Sequence, residues 1–208
     1  MVTGMHHVAQ LKKVLLQASG PVVEMWDMTP TPVDMLVGCS HEKVGARVAA
    51  YLAERGYQQP GLIWTDDRRA LQRKQGLVDA LAAQGITPRA DVPVQLPALM
   101  ARGREAAVQL LDQQPEVDVL VCSSDTLAQG ALMAAQARGM KIPQQLAVIG
   151  FGDLDFAAAN YPAISTVRID RQRMGELAAG QLLKRLQNQA VDQPIIDMGF
   201  TMLARDSG

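Results

Sequence analysis

The chain has 208 residues, of which 48% are hydrophobic and 20% charged, a composition typical of a globular protein with a sizeable core. No run approaches the ~20 apolar residues of a membrane span, which excludes a membrane-spanning protein. The formal net charge is −1, and no cluster of basic residues suits the several phosphates that a nucleic-acid site neutralises. We therefore expect that this segment alone does not bind DNA.

The N-terminus and the cysteines indicate the cellular compartment. The first residues lack the basic start, apolar run and cleavage site of a secretory signal, so we expect a cytoplasmic location. Cys39 and Cys122 are the two cysteines, and Cys122 falls inside an apolar run. Both are predicted to be buried, reduced thiols rather than a disulfide.

Apolar runs rich in Val, Ile and Leu recur along the chain and are typical of strands covered on both faces. These predicted strands lie at residues 21–26, 61–64, 117–122 and 146–151. Between them the hydrophobic period becomes helical. The predicted helical faces are Val8, Leu11 and Leu15; Val44, Val48 and Leu52; Leu71, Val78 and Leu81; Ala106, Ala107, Leu110 and Leu111; Leu127, Ala131 and Ala134; and Met174, Leu177, Leu182 and Leu186.

Glycines suited to helix C-caps follow three of these faces, at Gly56, Gly85 and Gly139. The alternation of strands and helices predicts an α/β fold with one doubly wound parallel sheet or two such sheets.

Two stretches depart from a simple winding. Only Met1, Val2 and Thr3 precede Gly4, which is short for a strand of about five residues, so we expect the chain to begin inside the fold. Residues 150–162 are predicted to be a loop without a helix, and a strand resumes at 163–167. That break indicates a crossover between two lobes.

Catalytic motifs are absent from the sequence. It contains no phosphate-binding loop, dinucleotide fingerprint, nucleophile elbow or zinc-protease motif, so we expect no enzyme, no cofactor and no metal site. His6 and His7 are adjacent and do not share a helical face, which favours two surface histidines. His41 precedes a helix and is predicted to be solvated or to cap that helix.

Short polar side chains follow the predicted strand at 117–122. Ser123, Ser124 and Asp125 each suit a helix N-cap. Open α/β sheets bind ligands at the carboxyl ends of their strands, so the same oxygens suit hydrogen bonds to a polyol. The residues leave both interpretations open.

Charged residues at 66–74 follow the strand at 61–64, and most of them read as a solvated helix face. Arg69 and Arg73 lie one helical turn apart, and a guanidinium matches a carboxylate in a bidentate way, so an anionic ligand is the alternative. After the strand at 146–151, Gly152 allows close backbone approach. Asp153 suits hydrogen bonds to hydroxyls or a plain turn.

Six segments occur in one order and one spacing. They are residues 37–46, 51–57, 122–131, 139–143, 148–151 and 162–167. Together they resemble the effector-binding region of LacI/GalR-family transcriptional repressors, and the likeness covers essentially the whole chain. Residues 21–27 and 150–153 resemble the gluconate-repressor (GntR-named) subgroup.

The resemblance implies a periplasmic-binding-protein-like type I fold of two α/β lobes with the ligand in a cleft. An N-terminal lobe, partial in this chain, corresponds to residues 1–39 and 169–198. A C-terminal lobe corresponds to residues 40–168 and 199–208. The family's helix-turn-helix DNA-binding head and the first units of the N-terminal lobe are then expected to be missing.

Candidate effector contacts are carried over from the family position by position. They are Trp26, Asp27, Cys39, Arg69, Arg73, Ser124, Gly152 and Asp153. In sugar-binding relatives an arginine matching Arg73 grips ligand oxygens. An aspartate commonly stands where this chain has Gly152, so Asp153 is its candidate substitute. The strand near Trp26 is one residue longer than in many relatives, which leaves Trp26 and Asp27 as alternatives.

The resemblance also implies a mechanism. A sugar acid, gluconate or a derivative, is expected to close the cleft of a homodimer and thereby to change DNA affinity through the missing heads. The alternative is a periplasmic sugar-binding protein that serves a transporter and shares the fold.

Overall fold

A computed structural model describes residues 1–3 and 9–208, and the side chains of residues 1–3 and 13–208. The predictions for His6, His7 and Val8, and for the Leu11 side chain, lie outside these residues. In chain order the elements are β1 (Val2–Thr3), α1 (Ala9–Leu16), β2 (Val23–Trp26), β3 (Met35–Gly38), α2 (His41–Arg55), β4 (Pro60–Thr65), α3 (Arg68–Ala82), β5 (Ala90–Val94), α4 (Met100–Gln113), β6 (Val119–Cys122), α5 (Asp125–Ala137), β7 (Ala147–Phe151), α6 (Asp155–Ala159), β8 (Ser165–Arg168), α7 (Arg171–Leu186), β9 (Ile195–Asp197) and β10 (Thr201–Leu203).

The chain divides into two compact units. The smaller unit comprises residues 1–40 and 169–200. Its sheet has the order β1-β2-β3-β9, and all three pairings are parallel. Strand β3 is buried along its whole length, as its apolar sequence requires.

The larger unit comprises residues 41–168 and 201–208. Its six-stranded sheet has the order β10-β8-β7-β6-β4-β5, and β10 is the antiparallel strand at one edge. From β4 the chain winds first to β5 on one side and then to β6 on the other. The winding therefore reverses between β4 and β6, and in open α/β sheets such a switch point opens a crevice at the carboxyl ends of the strands.

Helix pairs cover the larger sheet. Helices α2 and α3 pack against each other, and so do α4 and α5. At Gly45 a Cβ atom would overlap the backbone of α3, and at Gly76 one would overlap the backbone of α2. The two glycines therefore allow the helix backbones to touch, which draws the side chains of α3 against the start of α2.

The α/β fold with parallel sheets agrees with the sequence prediction. Gly56, Gly85 and Gly139 have positive φ angles after their helices, which confirms the predicted C-caps. The prediction of a loop without a helix at residues 150–162 is wrong, because α6 forms one short turn there. No helix in the described part of the chain has the length and apolar character needed to span a membrane.

Two predicted helical faces are also wrong in part. Leu71 is 46% exposed, and the buried stripe of α3 is Ala70, Arg73, Leu77 and Leu81. Leu186 of α7 is 64% exposed, and the buried residues of α7 are Met174, Ala178 and Gln181. In both helices a polar residue occupies the inward face, so the spacing of apolar residues alone indicated a neighbouring stripe.

Candidate functional site

The switch point between β4 and β6 carries a cluster of hydrogen-bonded side chains. Thr65 ends β4 and Ser123 follows β6 directly, and their hydroxyl oxygens lie 3.1 Å apart. The Ser123 hydroxyl also accepts a hydrogen bond from the Thr65 amide at 3.2 Å. Thr65 in turn donates to Asp67, whose other oxygen caps α3 by accepting from the Ala70 amide. The two strand ends are thus joined, and α3 starts from a fixed position.

Arg73 lies over this crevice and is 7% exposed. Its Nη2 donates to the Ser123 carbonyl oxygen at 3.2 Å. Its Cζ stands 3.8 Å from the centre of the Phe151 ring at the end of β7, a cation–π contact. A buried guanidinium held by a strand end and an aromatic face is a fixed positive charge. Arg69 lies one turn earlier on α3 and is half-buried.

His41 at the start of α2 is buried, with 4% of its surface exposed, so the prediction of a solvated histidine is wrong. Its Nδ1 lies 3.2 Å from Nη1 of Arg73. Its ring meets the Phe151 ring edge-on, with the centroids 6.4 Å apart. The close crossing of α2 and α3 explains the burial, because it leaves no room for solvent between His41 and α3.

Ser124 and Asp125 have different roles in the structure. Ser124 is the N-cap of α5, since its hydroxyl accepts from the Leu127 amide at 3.3 Å. Asp125 is fully buried and accepts from the Thr166 hydroxyl at 2.6 Å and from the Leu154 amide at 2.7 Å. Burial raises the pKa of the Asp125 carboxyl, and the bonds from Thr166 and Leu154 oppose that rise.

The turn after β7 places Gly152 and Asp153 at the same edge of the sheet. Both have positive φ angles, 124° at Gly152 and 49° at Asp153. The Asp153 carboxylate receives a hydrogen bond from Nη2 of Arg205 at 2.6 Å. The Asp125 carboxyl group accepts a hydrogen bond from the amide of Leu154, the residue after Asp153, and this bond fixes the turn. Asp153 therefore has a fixed position in which it is already paired with a cation.

The smaller unit carries the other predicted contacts. Trp26 ends β2 with φ at 83°, a left-handed backbone conformation that a bulky residue rarely adopts. Asp27 and Cys39 are buried, and the Cys39 amide donates to the Trp26 carbonyl at 3.5 Å. Such backbone outliers cost about 1 to 3 kcal/mol and cluster at ligand sites. The three residues lie at the carboxyl ends of the adjacent strands β2 and β3.

Within the larger unit, Arg73 contacts Ser123, which precedes the predicted contact Ser124. It also contacts Phe151, which precedes the predicted contact Gly152. Sequence reasoning missed the groups that hold it, His41 and Phe151, and the strand-end pair of Thr65 and Ser123. The pairing of Thr65 with Ser123 could have been predicted, because both residues stand at the ends of parallel strands and such ends meet at one edge of the sheet. No local pattern indicated the role of His41, since its partner Arg73 lies 32 residues away.

The side chains described by the structure include no group of three or more His, Cys, Asp or Glu residues placed to hold a metal ion. Cys39 and Cys122 are buried free cysteines. Burial raises the pKa of the Cys122 thiol, and the nearby Asp125 raises it further. A thiol with a raised pKa is a poor nucleophile.

Comparison with known proteins defines the class to which this architecture belongs. The family described as a periplasmic binding protein-like domain matches residues 49–207. Among solved structures, the transcription regulator GntR from Chromobacterium violaceum superposes with a TM-score of 0.93 at 32% identity, over 99% of this chain and 76% of that one. A LacI-family regulator from Silicibacter pomeroyi superposes with a TM-score of 0.95 at 28% identity, over 99% of this chain and 63% of that one.

A sequence relative narrows the assignment. The HTH-type transcriptional regulator GntR of Pseudomonas aeruginosa is 36% identical over 210 residues, which cover 100% of this chain and 61% of that protein. The chain thus spans about three fifths of the length of this relative. It belongs to the LacI family, as a periplasmic-binding-protein-like domain of the kind found in GntR-named regulators.

Proposed function

We propose that this chain is the effector-binding domain of a transcriptional regulator and that its effector is a sugar acid, gluconate or a derivative of it. The proposal rests on one observation, the buried guanidinium of Arg73 at the switch point of the larger sheet. The membership of the chain in the LacI family and its GntR-named relatives support the same interpretation.

The chemistry of the strand ends suits a polyhydroxylated carboxylate. A guanidinium pairs with a carboxylate through two parallel hydrogen bonds, and burial strengthens this pairing because water does not screen it. Ser124 offers a half-buried hydroxyl at the same edge. Asp153 suits a sugar hydroxyl, and Gly152 leaves the backbone accessible. Arg73 therefore selects the acid, and its neighbours select the hydroxyls.

Four further contacts belong to the proposal. They are Trp26, Asp27 and Cys39 of the smaller unit and Arg69 of α3. The positive φ angle of Trp26 supports a ligand role, since the strained backbone holds the indole in one place.

The proposed regulator acts on DNA through a helix-turn-helix domain of the kind named in its relatives. Effector binding changes the DNA affinity of the whole protein by the amount by which the effector prefers one of its two conformations. A sugar acid thereby controls genes of carbohydrate use.

The regulator is also proposed to be a homodimer. A surface of the larger unit exposes Leu96, Leu99, Met100, Met133 and Tyr161. Gln136 of α5 donates to the Tyr161 carbonyl, and Gly130 of α5 lies against the Met100 backbone, so the segments that carry Met100, Met133 and Tyr161 adjoin one another. Exposed apolar patches of this kind mark interaction surfaces.

Gluconate binding is tested by calorimetry and by thermal unfolding. At 100 times its dissociation constant, gluconate should stabilise the fold by about 2.7 kcal/mol. Arg73→Met should abolish the effect, whereas Arg68→Met on the exposed first turn of the same helix should retain it. A melting temperature that responds to glucose and not to gluconate would show that the sugar-acid assignment is wrong.

The dimer is tested by sedimentation. Met133→Glu combined with Tyr161→Glu should yield a monomer, because two carboxylates would be buried without partners. Leu71→Glu, at an exposed leucine of α3, should leave the dimer intact. Equal association of all three proteins would place the interface elsewhere.

A further inference from the structure

We infer that His41 is a positioning residue of the effector site, whose imidazole Nδ1 holds Arg73 by accepting a hydrogen bond, so that loss of this acceptor weakens effector binding. This inference rests on the proposed function for its effector. It is carried by the contact between His41 Nδ1 and Arg73 Nη1 and by the burial of both residues.

The donor and acceptor roles in this contact are decided by chemistry. An arginine side chain has only donors and does not lose its proton in a protein. Nδ1 of His41 must therefore accept, and a nitrogen that accepts carries no proton. The neutral ring then has its proton on Nε2. A protonated imidazole donates from both nitrogens and cannot form this bond.

Removal of the Nδ1 acceptor takes away the hydrogen bond at 3.2 Å that helps to hold Arg73. The His41 ring and the Arg73 guanidinium both contact Phe151, since His41 meets this ring edge-on and Arg73 covers its face. Without the acceptor, the guanidinium can leave the position in which Ser123 and Phe151 hold it, and the carboxylate site is weakened.

Two variants separate the acceptor from the rest of the imidazole. His41→Ala removes the acceptor, whereas His41→Gln keeps one, because its amide oxygen can accept from Arg73.

The first readout needs no effector. In protein labelled with ¹⁵N-histidine, the chemical shifts of His41 at neutral pH should show a proton on Nε2 and a bare Nδ1. Arg73→Met should remove that preference. A proton on Nδ1 of His41 in the unchanged protein would overturn the inference, whether or not gluconate binds.

The second readout is the dissociation constant of gluconate at a fixed pH of 7.5. In His41→Ala it should rise about tenfold, the size of effect expected for one hydrogen bond to a charged group. His41→Gln should bind within about threefold of the unchanged protein, because its amide oxygen replaces the acceptor.

The pair of variants distinguishes positioning from simple folding. Thermal unfolding should show that both variants fold, and His41→Gln should rescue the loss of gluconate binding in His41→Ala. An equal loss in the two variants would show that the acceptor does not hold Arg73, and would overturn the inference. If gluconate does not bind to the unchanged protein, the proposed effector is wrong, and the ¹⁵N shifts still decide the hydrogen bond.

Discussion

The two helix pairs of the larger unit cross in the same way and enclose different chemistry. In the α2–α3 pair, Gly45 and Gly76 let the backbones touch, and in the α4–α5 pair, Gly103 and Gly130 do the same. The first crossing buries Arg73 and His41. The second buries a cluster of apolar side chains, which includes Ala106, Ala107, Leu110, Leu127 and Ala131.

The difference separates binding from stability. Burying a cation has a large desolvation cost unless other groups hold it, so Arg73 is placed by His41, Ser123 and Phe151. The apolar cluster between α4 and α5 contributes hydrophobic burial. Changes at the first crossing should therefore affect the effector, and changes at the second should affect only the free energy of unfolding.

The largest effect is expected at Leu110, which is fully buried in the α4–α5 core. Leu110→Ala should lower the free energy of unfolding by about 2 to 5 kcal/mol, because it removes buried methyl groups and leaves a cavity. Denaturant unfolding measures this loss. The protein that remains folded should bind gluconate with unchanged affinity. A parallel loss of affinity would contradict the separation of the two helix pairs.

A matched pair of glycine substitutions compares the crossings directly. Gly45→Ala and Gly130→Ala each place a methyl group against the backbone of the neighbouring helix, and each should cost about 1 to 3 kcal/mol of stability. The overlap at Gly45 involves the Arg73 carbonyl, so that variant should also weaken gluconate at least about tenfold. Calorimetry should show no such weakening for Gly130→Ala. Similar affinities in both variants would mean that the position of α3 does not set the site.

The helix caps provide a smaller test. Asp67→Ala removes the N-cap of α3 and should cost about 1 kcal/mol, whereas Ser124→Gly at the N-cap of α5 should cost only a few tenths, because glycine is a good N-cap residue. If the Ser124 hydroxyl binds the effector, Ser124→Gly should still weaken gluconate several-fold. Unchanged affinity would assign Ser124 to capping alone.

The smallest effect concerns Asp125, whose pKa is raised by burial. An acid with a raised folded pKa contributes stability that is fully present below the unfolded pKa and is lost as pH rises through the folded pKa. The free energy of unfolding of the natural chain minus that of Asp125→Asn should therefore increase as pH falls from neutral. It should level off below about pH 3.9, the ordinary range of an aspartate. A difference that decreases on acidification would show that Asp125 is stabilised as the carboxylate.

Much of the architecture could be predicted, because it depends on short-range patterns of apolar residues and glycines in the sequence. Apolar runs placed β4, β6 and β7, and glycines with positive φ ended α2, α3 and α5 as expected. The site was less accessible to prediction. Arg73 was singled out for its spacing from Arg69, yet its burial was not foreseen, because charged residues ordinarily mark the outer face of a helix.

The residues that follow β6 could likewise be predicted only in part. Ser123, Ser124 and Asp125 all suited the N-cap of α5, and the structure gives that role to Ser124. The burial of Asp125 against Thr166 depends on a residue 41 positions away, and no local pattern encodes such a contact. The short helix α6 was missed because its five residues are too few to show a helical period.

The sequence by itself determined the alternation of strands and helices, the helix ends and the resemblance to LacI-family effector domains, since periodicity, glycine caps and motif order are local properties. The tertiary structure alone decided where the winding reverses, that Leu71 faces outward, and that His41 meets Arg73. These outcomes depend on which strands are neighbours and on how closely two helices approach. Contacts 32 and 50 residues apart, from Arg73 to His41 and to Ser123, form only when the whole unit is assembled.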